Sequence, residues 1–196
     1  MIRLSKSYIS NKEITSVVRV LKKKFLGMGN EVKNFEKDLE SIFGRYSLCV
    51  VNGTAAIQMS LQVAGVKKGD EVLVQSLTYI STIQAITAIG ANPIFCDINT
   101  DNLTIDLLDA QKKLSKKTKV ILPVHYAGQT GSIEKIYKFA KKNGICVIED
   151  AAHAFGSKYK NRLVGKQGDL VCFSFDGIKN ITSGEGGAII TSNKIY

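Results

Sequence analysis

A chain of 196 residues carries 27 Lys and Arg against 17 Asp and Glu, a formal charge of +10, with 44% hydrophobic residues. This balance excludes a disordered polyelectrolyte, and no apolar run approaches the roughly 20 residues needed to span a bilayer. Cys49, Cys96, Cys146 and Cys172 are far apart, each within an apolar run and without metal-ligand spacing; they read as buried free thiols in a reducing cytosol. Met1-Ile2-Arg3-Leu4-Ser5-Lys6 lacks the apolar stretch of a secretory signal.

The first 45 residues read as helical. Ser10 and Glu13 have the spacing of a capping box, and Ile14, Val17, Val18 and Leu21 follow with the helical period. Phe25-Leu26-Gly27-Met28-Gly29-Asn30 breaks that helix, and Val32, Phe35, Leu39 and Ile42 line one face of a second. From residue 46 the pattern becomes short apolar runs: Leu48–Val51, Val72–Val74, Pro93–Cys96, Val120–Val124, Ile145–Ile148, Leu170–Phe175 and Ala188–Thr191. Between the first five lie helix candidates at 54–65, 79–90, 106–115 and 132–143, with Asp106 and Ser132 as N-caps. Strands so alternating with helices predict an α/β fold, a mostly parallel seven-stranded sheet covered by helices on both faces. No periodic helix joins the last two strands, so the seventh is free to run antiparallel. The two segments are a helical 1–45 packing on an α/β domain of 46–196.

The lysines gather at Lys22-Lys23-Lys24, at Lys112, Lys113, Lys116, Lys117 and Lys119, and at Lys141-Lys142, near predicted helix C-termini. Aromatic residues are not interleaved with them as stacking platforms would be, so a solvated surface is favoured over a nucleic-acid footprint.

Three predicted strand ends carry polar chemistry, and strand C-terminal ends are where an open parallel sheet binds ligands. Asn52-Gly53-Thr54-Ala55-Ala56 opens a helix with free amides and a glycine, which suits a phosphate as well as a plain cap. It is neither G-x-G-x-x-G nor a P-loop, so an ordinary nicotinamide-binding Rossmann core is disfavoured. Glu149-Asp150 ends the fifth strand; an acid there binds metal, acts as a base, holds a protonated ring nitrogen or caps a helix, and His153 falls on the same side of any helix that starts here. Ser174 ends the sixth strand, and Lys179 follows in a loop closed by Gly184-Glu185-Gly186-Gly187. A lysine held close to the core can form a Schiff base, whereas a surface lysine needs no function at all. Together a phosphate cradle, an acidic strand end and a loop lysine make the set that pyridoxal phosphate (PLP) requires.

Residues Val171 through Asn180 with Gly184-Glu185-Gly186-Gly187, Asn52 through Ala56, Leu77-Thr78-Tyr79 and Glu149 through Gly156 resemble the DegT/StrS family of nucleotide-sugar aminotransferases. Phe25-Leu26-Gly27-Met28-Gly29 is similar to the family's early glycine loop, and the likeness runs in order along essentially the whole chain. The resemblance implies the large domain of the type I PLP-transferase fold. It implies that Lys179 holds the cofactor as an imine and that Asp150 pairs with the ring nitrogen. Tyr79 is implied to stack on the ring, with a core aromatic as the alternative. His153 is placed beside the phenolic oxygen, with a structural histidine as the alternative. Gly53, Thr54 and the Ala55 amide are implied to hold the phosphate, with a hydroxyl from Ser174, while Asn180, implied to be among the cofactor-binding residues, shapes the loop. His125, at another strand end, is a candidate sugar-side contact with a structural role equally open.

Lys179 stands where a dehydrating subgroup of the family has histidine, which favours transamination. The implied reaction passes an amino group from glutamate, through the cofactor, to a keto-sugar on a nucleoside diphosphate, for cell-surface polysaccharide or deoxyaminosugar synthesis. The enzyme is implied to be cytoplasmic and, with the C-terminal part supplied, a homodimer, with no nucleic-acid or membrane partner. Members of the family are about twice as long and carry a smaller C-terminal domain that closes the substrate site. The expectation is therefore a truncated chain that keeps the cofactor geometry with little turnover alone. A non-catalytic fragment that binds nucleotide sugar or a full-length paralogue is the alternative.

Overall fold

The computed structural model describes residues 6–196; Met1 to Ser5, on which the absence of a signal was read, lie outside the described residues. Ser10 Oγ accepts from the Lys12 N–H at 3.2 Å and Glu13 Oε2 from the Ser10 N–H at 2.6 Å, opening α1 (Asn11–Lys22) with the expected capping box. A second helix, α2 (Asn30–Phe43), ends on Gly44 in the left-handed conformation at φ 68. The two helices differ in what they cover. Leu39 and Phe43 of α2 are buried, with Phe43 stacked on Phe173 at 5.3 Å, whereas α1 has no buried residue. Ile14, Val17, Val18 and Leu21 all face solvent. Periodicity identifies an amphipathic helix; it does not say what covers the apolar face.

Each apolar run becomes a strand, shifted by a residue or two from the expected bounds. They are β1 (Tyr46–Val50), β2 (Glu71–Gln75), β3 (Asn92–Cys96), β4 (Thr118–Leu122) and β5 (Cys146–Asp150). After β6 (Lys158–Tyr159) and β7 (Arg162–Leu163) come β8 (Leu170–Ser174) and β9 (Gly187–Thr191). Among the described residues the main sheet has seven strands in the order β1-β9-β8-β5-β4-β2-β3. Strand β9 runs antiparallel to both neighbours and the others are mutually parallel. A return from β8 to β9 without a crossover helix leaves only the antiparallel direction.

The intervening helices are α3 (Gly53–Val63), α4 (Ile80–Ala88), α5 (Leu107–Lys113) and α6 (Ile133–Asn143). Strand alternation feeds two cores. Val72 and Val74 of β2 pack with Ile57, Leu61 and Ile86 from α3 and α4, while Leu73 between them packs with Ile133 and Ile136 from α6. Asp106 caps α5, its Oδ1 accepting from the Leu108 N–H at 2.8 Å. Ser132 occupies the N-cap position of α6 but makes no side-chain capping bond, contrary to expectation. The β6–β7 hairpin was not anticipated either. Its two central residues, Lys160 and Asn161, have φ of 46 and 66, and only the asparagine is a turn signal in sequence. Cys49 and Cys146 are half-buried rather than buried, while Cys96 and Cys172 are in the core. Among the described residues no helix is long and apolar enough to cross a membrane.

Candidate active site

Strands β1, β5 and β8 point their C-terminal ends at one cavity of about 500 Å³, within the size range of small-molecule sites. At the end of β5 the alternation of side chains sends Glu149 and Asp150 to opposite faces of the sheet. Asp150 lines the cavity. Its Oδ2 accepts from the Thr82 hydroxyl at 2.8 Å and its Oδ1 from the Ala152 N–H at 3.1 Å. The residues that follow form turns and no helix, so the expected helical juxtaposition of Asp150 and His153 does not occur; the turn still brings His153 to the cavity.

Glu149 faces the other way, into a buried polar cluster. Its Oε2 lies 2.6 Å from His125 Nε2 and its Oε1 accepts from the Tyr137 hydroxyl. A carboxylate can only accept, so His125 donates from Nε2. His125 and Glu149 are 1% and 2% exposed, and His125 is not on the cavity wall. His125 is thus a buried partner of Glu149, the structural role that its place at a strand end leaves open. The signal that separates Glu149 from its neighbour is strand parity, and it becomes usable once the register of β5 is known.

Lys179 reaches the same cavity from the loop after β8. Asp176, also on the wall, shapes this turn: its carbonyl accepts from the Lys179 N–H and its Oδ1 from the Ile178 N–H, each at 3.0 Å. Thr182 Oγ1 and the Ser183 N–H both donate to the Phe175 carbonyl, at 3.1 and 3.0 Å, folding the glycine-rich return under the lysine. Asn180 is turned away and donates to the Phe155 carbonyl at 2.7 Å; it is a loop residue and not a wall of the cavity.

The start of α3 closes the third side. Asn52, the first residue of the motif, caps the helix by accepting from the Ala55 N–H at 2.9 Å. That bond occupies the amide expected to meet a phosphate. The N–H groups of Gly53 and Thr54, the first two of the helix, have no intrahelical acceptor and carry the positive end of the dipole. Gly53 and Thr54 line the cavity beside Ser174. A β-carbon on Gly53 would lie 2.9 Å from Ser174 Cβ, so the glycine is what lets the helix start approach the strand end.

Tyr79 precedes α4 and lines the cavity while 70% exposed, which rules out a core aromatic. His153 sits at the exposed rim, its Nδ1 accepting from the Ala127 N–H at 3.4 Å. Partial desolvation and the nearby Lys179 ammonium lower its pKa, with Asp150 opposing. Glu185, in the glycine-rich return, is a further wall residue that its neighbours in sequence do not mark as one. Among the described residues no cluster of three or more His, Cys, Asp or Glu side chains is placed to hold a metal ion.

An anion cradle, a carboxylate already held by two donors and a lysine on one cavity fit the phosphate, the ring nitrogen and the aldehyde of PLP. The class so defined is that of a PLP-binding α/β fold. The profile of the DegT/DnrJ/EryC1/StrS aminotransferase family matches residues 7–196, and the chain belongs to that family of PLP-dependent enzymes. It is 44% identical over 167 residues to GDP-perosamine synthase of Escherichia coli O157:H7, covering 85% of this chain and 46% of that protein. It is 37% identical over 187 residues to the spore coat polysaccharide biosynthesis protein SpsC of Bacillus subtilis, covering 95% and 48%. Spr1654 of Streptococcus pneumoniae, assigned as a sugar aminotransferase and solved in its PLP form, superposes with a TM-score of 0.94 at 32% identity. That superposition covers 100% of this chain and 54% of Spr1654. The chain spans about half the length of the curated relatives it matches.

Proposed function

We propose that these residues form the cofactor-binding part of an aminotransferase that moves an amino group from glutamate to a keto-sugar carried on a nucleoside diphosphate. The observation that carries this reading is the placement of Lys179 and Asp150 on one cavity, beside the start of α3. Relatives named for GDP-perosamine and for a coat polysaccharide support a nucleotide-sugar substrate and a cell-surface destination. Glutamate as donor and a homodimeric assembly are carried over from the family resemblance.

When bound, the cofactor supplies an aldehyde for the amine and a ring that withdraws electrons from the adjacent carbon. Lys179 Nζ would hold the cofactor through its aldehyde and, when free, would be the base that holds and returns a proton beside the reacting carbon. Asp150 would accept from the protonated ring nitrogen. The N–H groups of Gly53 and Thr54 would hold the phosphate with the Ser174 hydroxyl beside them, and Tyr79 would cover the ring face. His153 lines the same cavity, and because its Nδ1 accepts from the Ala127 N–H, Nε2 is the ring nitrogen left to donate. The substrate side is open, with Tyr79 and Ile178 70% and 66% exposed, so the 196-residue chain by itself is expected to load cofactor and turn over slowly.

Borohydride reduction of the PLP-treated protein followed by peptide mapping tests the assignment. The label is expected on Lys179, and Lys179→Ala is expected to abolish both label and imine absorbance. A label on another lysine, or no imine band in the unaltered protein, overturns it. Rapid amination of a nucleotide-linked keto-sugar by the 196-residue chain alone would overturn the expectation of slow turnover.

A further inference from the structure

We propose that Thr82 is a positioning residue for the Asp150 carboxylate and, through it, for the cofactor's ring nitrogen; this rests on the reading of the cavity as a PLP site. Thr82 lies in the first turn of α4 with 0% of its surface exposed, on the side of the helix that packs against the apolar core. Burying a hydroxyl there is unfavourable unless it is bonded, and valine would fill the same volume without that requirement. The bond it makes is to Asp150 Oδ2, at 2.8 Å.

The proton order is set by chemistry. An ionised carboxylate accepts only, so Thr82 donates to Asp150. Its own oxygen is then free to accept, and Thr78 Oγ1 lies 2.8 Å away as donor. Thr78 belongs to the segment that carries Tyr79 to the cavity wall, so one hydroxyl chain links the ring-covering segment to the carboxylate. Oδ1 meanwhile accepts from the Ala152 N–H. Two donors on different oxygens fix the plane of the carboxylate, which leaves its remaining lone pairs in a defined direction at the cavity. Without Thr82 only the Ala152 amide would hold it, and the group could rotate about its Cβ–Cγ bond.

Two probes separate this role from general packing. One is PLP; the other is its deaza analogue, in which a C–H replaces the ring nitrogen while the aldehyde and phosphate remain. Titration of the 196-residue chain, read by imine absorbance, gives a Kd for each. Thr82→Val is expected to weaken PLP by about tenfold, the range of one hydrogen bond to a charged group, and the deaza analogue by less than about twofold. Thr82→Ser keeps the hydroxyl and is expected to stay within about threefold of the parent. In an Asp150→Asn background the PLP effect of Thr82→Val is expected to disappear, because the two act as one unit. Equal weakening of both probes, no weakening of PLP, or an undiminished effect in the Asp150→Asn background overturns the role of Thr82. Failure of the unaltered chain to bind either probe overturns the PLP reading itself, and the role of Thr82 with it.

Discussion

The α-carbon of Gly53 lies against the side chain of Ser174: a β-carbon at position 53 would fall 2.9 Å from Ser174 Cβ and 3.4 Å from its Oγ. The contact couples the first turn of α3 to the end of β8, and it is steric in origin. Gly53→Ala must move one of the two by a few tenths of an ångström, while alanine improves the helix's intrinsic propensity. PLP affinity is therefore expected to fall by about tenfold with little change in melting temperature. Combining Gly53→Ala with Ser174→Gly, which removes the obstructing side chain, is expected to weaken PLP no further than Ser174→Gly alone. Absorbance titration of the four proteins measures this.

The Glu149 cluster makes a prediction about stability. Removing a donor from a buried carboxylate leaves it under-satisfied, so His125→Leu is expected to cost about 3 kcal/mol. Tyr137→Phe removes a single hydrogen bond to the same carboxylate and is expected to cost about 2 kcal/mol. Gly168→Ala should be worse than either. At φ +103 an L side chain is strained, and its β-carbon would run into both Tyr137 Oη and Glu149 Oε1. Urea unfolding midpoints rank the three.

His153 contributes a pH dependence whose sign follows from its lowered pKa. The folded chain holds fewer protons on this group than the unfolded chain does just below the ordinary histidine value of about 6.5. The stability it confers is thus present above about pH 6.5 and lost as pH falls through the lower folded value. The ring sits at an exposed rim, so solvent screening keeps the effect small. Denaturant midpoints at pH 7.5 and 5.5 are expected to differ slightly more for the parent than for His153→Gln; an equal difference would show that His153 does not titrate abnormally.

Burial pushes the Cys49 and Cys96 thiols up to about 11 and Cys146 to about 12, and raises Cys172 as well. At pH 8 such thiols are ionised to about one part in a thousand or less, and the thiolate is the reactive form. A disulfide-exchange reagent at pH 8 is expected to label the native protein slowly and all four cysteines after denaturation. Half-buried Cys49 and Cys146 should precede Cys96 and Cys172, an order that mass spectrometry of timed samples can check.

Much of the sheet was legible in the chain because apolar runs such as Val72–Val74 and Leu170–Phe175 must be buried on both faces, and helices between them must cover those faces. The Asp106 cap and the Ser10–Glu13 box were legible because each is a local bond between residues two or three apart. The β6–β7 hairpin was not, since Lys160 holds a positive φ that its side chain does nothing to announce. The partner of the Ala55 amide is not legible, because two acceptors, a ligand phosphate and the Asn52 side chain, suit it equally, and in the structure the local cap takes it.

The linear order of residues determined which groups could meet a cofactor: a helix-opening Gly53-Thr54, an acid at a strand end, and Lys179 beyond a buried strand. It determined this because each group sits at a junction whose chemistry depends on neighbours within a few positions. The family resemblance points to Asp150, and the structure supplies the physical reason by turning Asp150 and not Glu149 to the cavity; tertiary structure alone decided that His125 serves Glu149 and that Thr82, 68 residues from Asp150 along the chain, donates to Asp150. Those outcomes depend on strand register and on the packing of α4 over the sheet, where a shift of one residue would exchange the two faces.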